Sequence, residues 1–270
     1  MSLFSYDFMQ RALLAAVVIG LVAPMIGVFL VQRRLALLGD GMGHVALTGV
    51  GLSFLLGTAP VPTALLLAVA GAVVLEVIRS RSRTAGDVAL AVVFYGGLAG
   101  GVMFTSLAGG QSSTALNQYL FGSLSTISAG DLIALVVAGL VVIALLAVFG
   151  RELFAVSLDP ETAHTQGIAT QWISGLLTVL ASVTVVIGMR TVGLLLVSAI
   201  MILPVAASQQ LARSFRGSAI GGVGVGLFAA TSGLVASFYL DVPPGPTIVF
   251  VALGVFLLAL AGRPLIRSTT

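Results

Sequence analysis

The chain has 270 residues, 59% hydrophobic and only 8% charged, and its mean hydropathy of +1.18 excludes a water-soluble globular domain. It contains no cysteine, which excludes disulfides and thiolate chemistry and leaves N, O or Met sulfur as the donors of any metal site. The formal charge of +3 arises with all 12 basic residues being Arg, set mostly in short clusters between apolar runs, a pattern of membrane topology and not of nucleic-acid binding.

Apolar runs fall at about 12–32, 36–57, 61–78, 86–106, 130–149, 171–188, 192–211, 218–239 and 246–262. Each has the length an α-helix needs to cross roughly 30 Å of hydrocarbon. The runs are continuous, whereas a lipid-facing barrel alternates apolar and polar residues. The expected fold is therefore all-α, a polytopic transmembrane helical bundle of nine helices, or eight if two short runs form one element, in a single domain over 1–270. MSLFSYDFMQR reads as the lead into a retained first helix, not as a signal peptide. The clusters Arg33/Arg34, Arg79/Arg81/Arg83, Arg213/Arg216 and Arg263/Arg267, joined by Arg151, are expected on the cytoplasmic side. An even number of crossings separates each from the next, so one orientation serves all, with the C-terminus inside and, for nine helices, the N-terminus outside.

Two connecting segments are long. Residues 107–129 are Ser- and Gly-rich and expected outside; Arg151 to Thr170, RELFAVSLDPETAHTQGIAT, is expected in the cytoplasm. The second carries a helix-start signature, with Asp159 as N-cap, Pro160 at the first position, Glu161 in the first turn and Gly167 as the stop. It predicts a short amphipathic helix outside the bilayer, with His164 as a contact residue. The glycines Gly96, Gly97, Gly100 and Gly101, and Gly217 and Gly221, have the small-xxx-small spacing of closely packed membrane helices.

Asp40 and His44 are the most informative polar residues. Four positions apart in LLGDGMGHVALTGVGLSFLLG, they share one helical face. Ionisable groups inside a membrane are costly unless they pair, line an aqueous path or bind a cation. A carboxylate with a neutral imidazole suits Zn²⁺, Mn²⁺ or Fe²⁺. A structural tie between helices and a proton relay are the other readings of the same pair, and the spacing alone does not choose. Of the remaining polar residues, Glu76 is expected to pair with the neighbouring Arg cluster, Asp87 to cap its helix, Arg190 to mark an external turn, and Asp241, in LDVPPGPTIV, to cap or turn.

Five segments in order resemble one family, the ABC-3 metal permeases, membrane subunits of zinc, manganese and iron importers. RRLALLGDGMGHVALTGVGL is similar to the family's Gly-Asp-x-x-x-His signature after the first helix. LNQYLFGSL, LDPETAHTQGI, VGLLLVSAIMILPVAAS and LDVPPGPTIV resemble its later elements. The chain departs from the family at Gly43, often Ser, at Thr48, often Pro, and at Ala91, often Gly; none of these adds or removes a ligand.

The resemblance implies that Asp40 and His44 are the metal pair and that Asp159, Pro160, Glu161, His164 and Gly167 couple to an ATPase. It further implies a homodimer in the bacterial cytoplasmic membrane, served by cytoplasmic ABC ATPase subunits and an extracytoplasmic metal-binding protein. The chain itself would hold no catalytic residue and no permanent cofactor, only transported Zn²⁺, Mn²⁺ or Fe²⁺, with zinc favoured. No Walker A motif occurs in the sequence, in keeping with a borrowed ATPase. The alternative function is a self-contained, proton-coupled secondary metal transporter.

Overall fold

The computed structural model describes the backbone of residues 7–81, 86–109, 118–122 and 127–267, with the side chains of all of these except 86–87 and 263–267. The helices are α1 (Asp7–Gln32), α2 (Leu38–Leu56), α3 (Pro60–Arg81), α4 (Gly86–Ala108), α5 (Ala129–Leu158), α6 (Pro160–Thr165), α7 (Thr170–Val192), α8 (Leu194–Leu211), α9 (Phe215–Leu240) and α10 (Pro244–Arg267). A further helical turn occupies 118–121, and no strand occurs among the described residues. All but α6 correspond to the expected apolar runs. Eight are long and apolar enough to cross a membrane. The remaining long helix, α2, carries Asp40, His44 and five glycines, which lower its hydropathy.

The two ends of the bundle are chemically distinct. At one end the Arg11 guanidinium donates to the Ile127 carbonyl at 3.5 Å, and Arg190 pairs with Asp131 at 2.6 Å. The 118–121 turn packs there too: a Cβ on Gly122 would lie 2.4 Å from the Val192 carbonyl carbon, and one on Gly245 would lie 3.2 Å from the Phe121 oxygen. At the other end Arg33 donates to Ser174 Oγ at 2.8 Å and Arg79 pairs with Glu76 at 3.4 Å. The start of α1 lies at the first end and the end of α1 at the second, as alternating passes require. Arg83, 110–117 and 123–126, and the side chains of Asp87, Arg263 and Arg267, lie outside the described residues.

Two expectations shift and a third holds. The fifth helix does not stop at 149 but continues through Arg151 and Glu152 to Leu158; nothing between Gly150 and Pro160 breaks a helix, and the charges of Arg151 and Glu152 are tolerated where a helix protrudes from the bilayer. Arg190 lies inside the last turn of α7, not in a loop, its charge answered by Asp131. The break follows at Gly193, with φ 90° and ψ 150°, a conformation open to glycine. Asp241 caps α9 in the left-handed conformation, φ 53°, and its N–H bonds the Ser237 carbonyl, so the cap reading holds.

Buried residues concentrate on α1, α2, α7 and α8. α1 packs against α5, α7, α8 and α9 and is the bundle's axis. Its approach to α9 is a glycine crossing: a Cβ on Gly226 would lie 2.5 Å from the Gly20 oxygen, and one on Gly20 would lie 2.9 Å from the Gly226 oxygen. In lipid, where apolar burial between helices gains little, such backbone contact is what dispersion can use.

Candidate metal site and coupling segment

α2 is held by α3, α4, α7 and α8, and glycine placement explains how one helix fits among four. Gly39 and Gly43 face α8, Gly49 faces α3, and Gly51 faces α4. At Gly43 a Cβ would lie 1.9 Å from Leu194 Cδ1, so the glycine leaves room for that side chain. From the other side, α4 offers Gly97, Gly100 and Gly101 to α2; a Cβ on Gly97 would lie 2.6 Å from the Val45 nitrogen and 2.8 Å from the His44 carbonyl carbon. Gly96, its neighbour, meets nothing within 4 Å. Thr48 Oγ1 donates to the Gly97 carbonyl at 2.6 Å and ties the two helices one turn beyond His44.

A partly exposed line runs along α2 through Asp40, His44, Thr48 and Leu52, each four residues from the last and so on one face; Val45 and Phe54 are also partly exposed, and Leu55 and Leu56 are exposed at the helix's end. The Asp40 and His44 side chains are 29% and 13% exposed. Asp40 Oδ2 stands 3.9 Å from His44 Nε2, beyond a hydrogen bond. The pair is thus brought together without satisfying itself. Two donors that each sit about 2.1 Å from one ion are roughly 3–3.5 Å apart, so a small rotamer adjustment fits a shared cation. Among the described residues no third His, Cys, Asp or Glu joins them in a metal-sized group.

His44 is placed by aromatic packing. Its ring meets Phe94 of α4 edge-on, with centroids 4.6 Å apart and planes at 72°. Its Nδ1 is buried with no hydrogen bond among the described residues. The sequence reading missed Phe94, because one aromatic in an apolar helix carries no sign of its partner. It also missed Asp131, which caps α5 reciprocally with Ser128 and pairs with Arg190; the Ser-x-x-Asp spacing was the available signal.

The residues of 159–167 expected to couple to an ATPase lie at the end of the bundle that holds Arg33 and Glu76. The Asp159 carboxylate accepts the N–H groups of Glu161 at 3.0 Å and Thr162 at 3.2 Å, and Pro160 occupies the first position of α6. Hydrogen bonds from Thr162, then from Glu161, hold the Asp159 carboxyl below its ordinary pKa. α6 is shorter than the expected span, six residues closed at Gln166, with Gly167 following at φ 86°. Only Ala163 is buried; Pro160, Glu161 and His164 line an open groove of about 780 Å³ that reaches Trp172. α6 packs on α5 and α7, and α7 packs on α2, so the segment and the Asp40/His44 pair are joined through one helix. Glu76 pairs with Arg79, as expected, beside a separate cavity of about 400 Å³.

A multi-pass helical bundle with an ionisable pair on a partly accessible helix face and a capped surface helix at one end has the form of a membrane transport subunit. The sequence matches the model of the ABC 3 transport family over residues 5–263, and the chain belongs to that family. It is 30% identical over 262 residues to the manganese transport system membrane protein MntC of Listeria monocytogenes, covering 97% of this chain and 93% of the relative. It is 28% identical to the high-affinity zinc uptake system membrane protein ZnuB of Haemophilus influenzae, covering 96% and 98%. Among solved structures it superposes on a chain of "PsaBC from Streptococcus pneumoniae in complex with Fab" with a TM-score of 0.84 and 30% identity, over 95% of this chain and 92% of that one. With eight apolar spans and these relatives, it is a multi-pass protein of the bacterial cytoplasmic membrane.

Proposed function

We propose that this chain is the membrane subunit through which an ATP-driven importer passes a divalent transition metal, and that Asp40 and His44 bind the ion in transit. The observation that carries this reading is the pair itself: a carboxylate and an imidazole on the accessible line of α2, 3.9 Å apart and otherwise unsatisfied by each other. The dehydration cost of a divalent ion in a low-dielectric path must be offset by anionic and dipolar donors. Two copies meeting across this face would supply two carboxylates and two imidazoles, completing the shell that one copy leaves half built.

The mixed donor set takes Mn²⁺, Zn²⁺ or Fe²⁺, and softness alone does not select among them. The sequence leans towards zinc, whereas the relatives are named for manganese more often than for zinc, so manganese is the first cargo to test. α6 is the docking element for a separate ATPase, with Glu161 and His164 presented to it and Asp159, Pro160 and Gly167 fixing its shape. ATP binding would bias two arrangements of the bundle, felt at Asp40 and His44 through the α6–α7–α2 contacts. A binding protein outside the membrane would deliver the metal. The chain catalyses no bond chemistry in this account.

Uptake into proteoliposomes tests the reading, comparing the chain alone with the chain plus its ATPase and binding protein, each with Mn²⁺, Zn²⁺ and Fe²⁺. ATP-dependent uptake by the full assembly only is expected. Uptake by the chain alone under a pH gradient would replace the importer with a proton-coupled secondary transporter.

A further inference from the structure

A metal-bound histidine ordinarily donates its second ring N–H to a carboxylate, carbonyl or water, which fixes the ring and raises its basicity. His44 lacks that anchor: Nδ1 is buried without a hydrogen bond among the described residues. The nearest hydroxyl on the same face, Thr48 Oγ1, is engaged with the Gly97 carbonyl at 2.6 Å and the His44 carbonyl at 3.3 Å. What meets the imidazole instead is the Phe94 ring, edge-on at 4.6 Å between centroids.

Phe94 is itself held. A Cβ on Gly41 would lie 3.8 Å from Phe94 Cβ, so the base of Phe94 rests on α2 backbone one turn before His44. Its ring also meets Tyr95 at 5.3 Å. The Gly97 notch keeps α4 close enough to α2 for the contact to form.

Resting on the metal-site reading above, we propose that Phe94 is a positioning residue that takes the place of the usual hydrogen-bonding anchor, setting the His44 rotamer for metal capture by ring packing alone. A ligand held by packing keeps a defined direction yet can swing without breaking a hydrogen bond, and its imidazole is not polarised into a stronger donor. Both properties suit a transit site, which must release its ion, and are opposite to those of a permanent metal centre.

The test uses the full assembly in proteoliposomes, with Mn²⁺ and then Zn²⁺ as the probe, and the variants Phe94→Leu, Phe94→Ala and Phe94→Tyr beside Asp40→Asn. Leu retains apolar volume without an aromatic edge, and Tyr restores the edge. Phe94→Leu and Phe94→Ala are expected to raise the half-saturating metal concentration about tenfold or more, the scale seen when the group that holds a metal-binding histidine is lost, while uptake at saturating metal changes less than about twofold. Phe94→Tyr is expected to stay close to the unsubstituted protein. If Phe94→Ala does not assemble, the Leu and Tyr variants decide. Equal half-saturation for Leu and Tyr, in a protein whose uptake Asp40→Asn abolishes, overturns the role of Phe94. Undiminished uptake by Asp40→Asn overturns the metal site instead.

Discussion

Gly96 and Gly97 are adjacent, and the structure predicts opposite fates for them. A Cβ added at Gly97 would stand 2.6 Å from the Val45 nitrogen, 2.8 Å from the His44 carbonyl carbon and 3.0 Å from the Val45 Cα. These are backbone atoms of a packed helix and cannot swing aside as a side-chain tip can. Restoring ordinary contact near 3.5 Å requires α2 and α4 to separate by about 1 Å, and overpacking of this kind costs about 1–3 kcal/mol. The same displacement lengthens the Thr48–Gly97 hydrogen bond from 2.6 Å and carries the His44 backbone away from Phe94. A binding site tolerates only about 0.5 Å of such movement. Gly97→Ala is therefore expected to lower the melting temperature of the detergent-solubilised protein and to weaken Mn²⁺ uptake about tenfold or more, on the scale of lost ligand support. Gly96→Ala, with nothing within 4 Å, is expected to leave both unchanged. If the two variants behave alike, close packing of α4 on α2 does not place His44.

Two more predictions follow from local geometry. Gly43→Ser brings a Cβ within 1.9 Å of Leu194 Cδ1 and is expected to lower uptake and melting temperature, while adding Leu194→Ala recovers both, a coupling that a double-mutant cycle measures. The Asp159 carboxyl has its pKa depressed by hydrogen bonds in the folded chain. Its contribution is thus complete above the unfolded value of about 3.9 and is lost as pH falls through the folded value. ATPase docking should be insensitive to this group from neutral pH down to about 5 and weaken below about 4, whereas Asp159→Asn, which still accepts an N–H bond, should lose that acid-side component; docking measured by co-purification across pH checks it.

Much of the bundle was legible because lipid imposes a simple requirement: each crossing must satisfy its own backbone over a fixed thickness. Hence the nine runs correspond to nine long helices among the described residues. The departures occur where lipid stops dictating. α5 continues past Arg151 because helix propensity, not hydropathy, governs its protruding end. Arg190 falls within α7 because its compensation, Asp131, is 59 residues away in sequence and visible only once folded. Asp40 and His44 were legible as a pair from helical periodicity, and α6 from its capping residues. The support of the site was not. Gly96 and Gly97 are indistinguishable in sequence, yet only one faces α2, and Phe94 acquires its partner through the α2–α4 crossing. Those facts depend on helix rotation, which apolar composition on every side leaves undetermined.

In the transport mechanism proposed above, one ion is shared by Asp40 and His44 of two copies. Titration of the solubilised assembly with Mn²⁺, followed by electron paramagnetic resonance of free and bound ion, tests it directly. One high-affinity Mn²⁺ is expected for every two copies of this chain, lost in both Asp40→Asn and His44→Ala with the assembly intact. One independent ion per chain, or binding that survives either substitution, would contradict it.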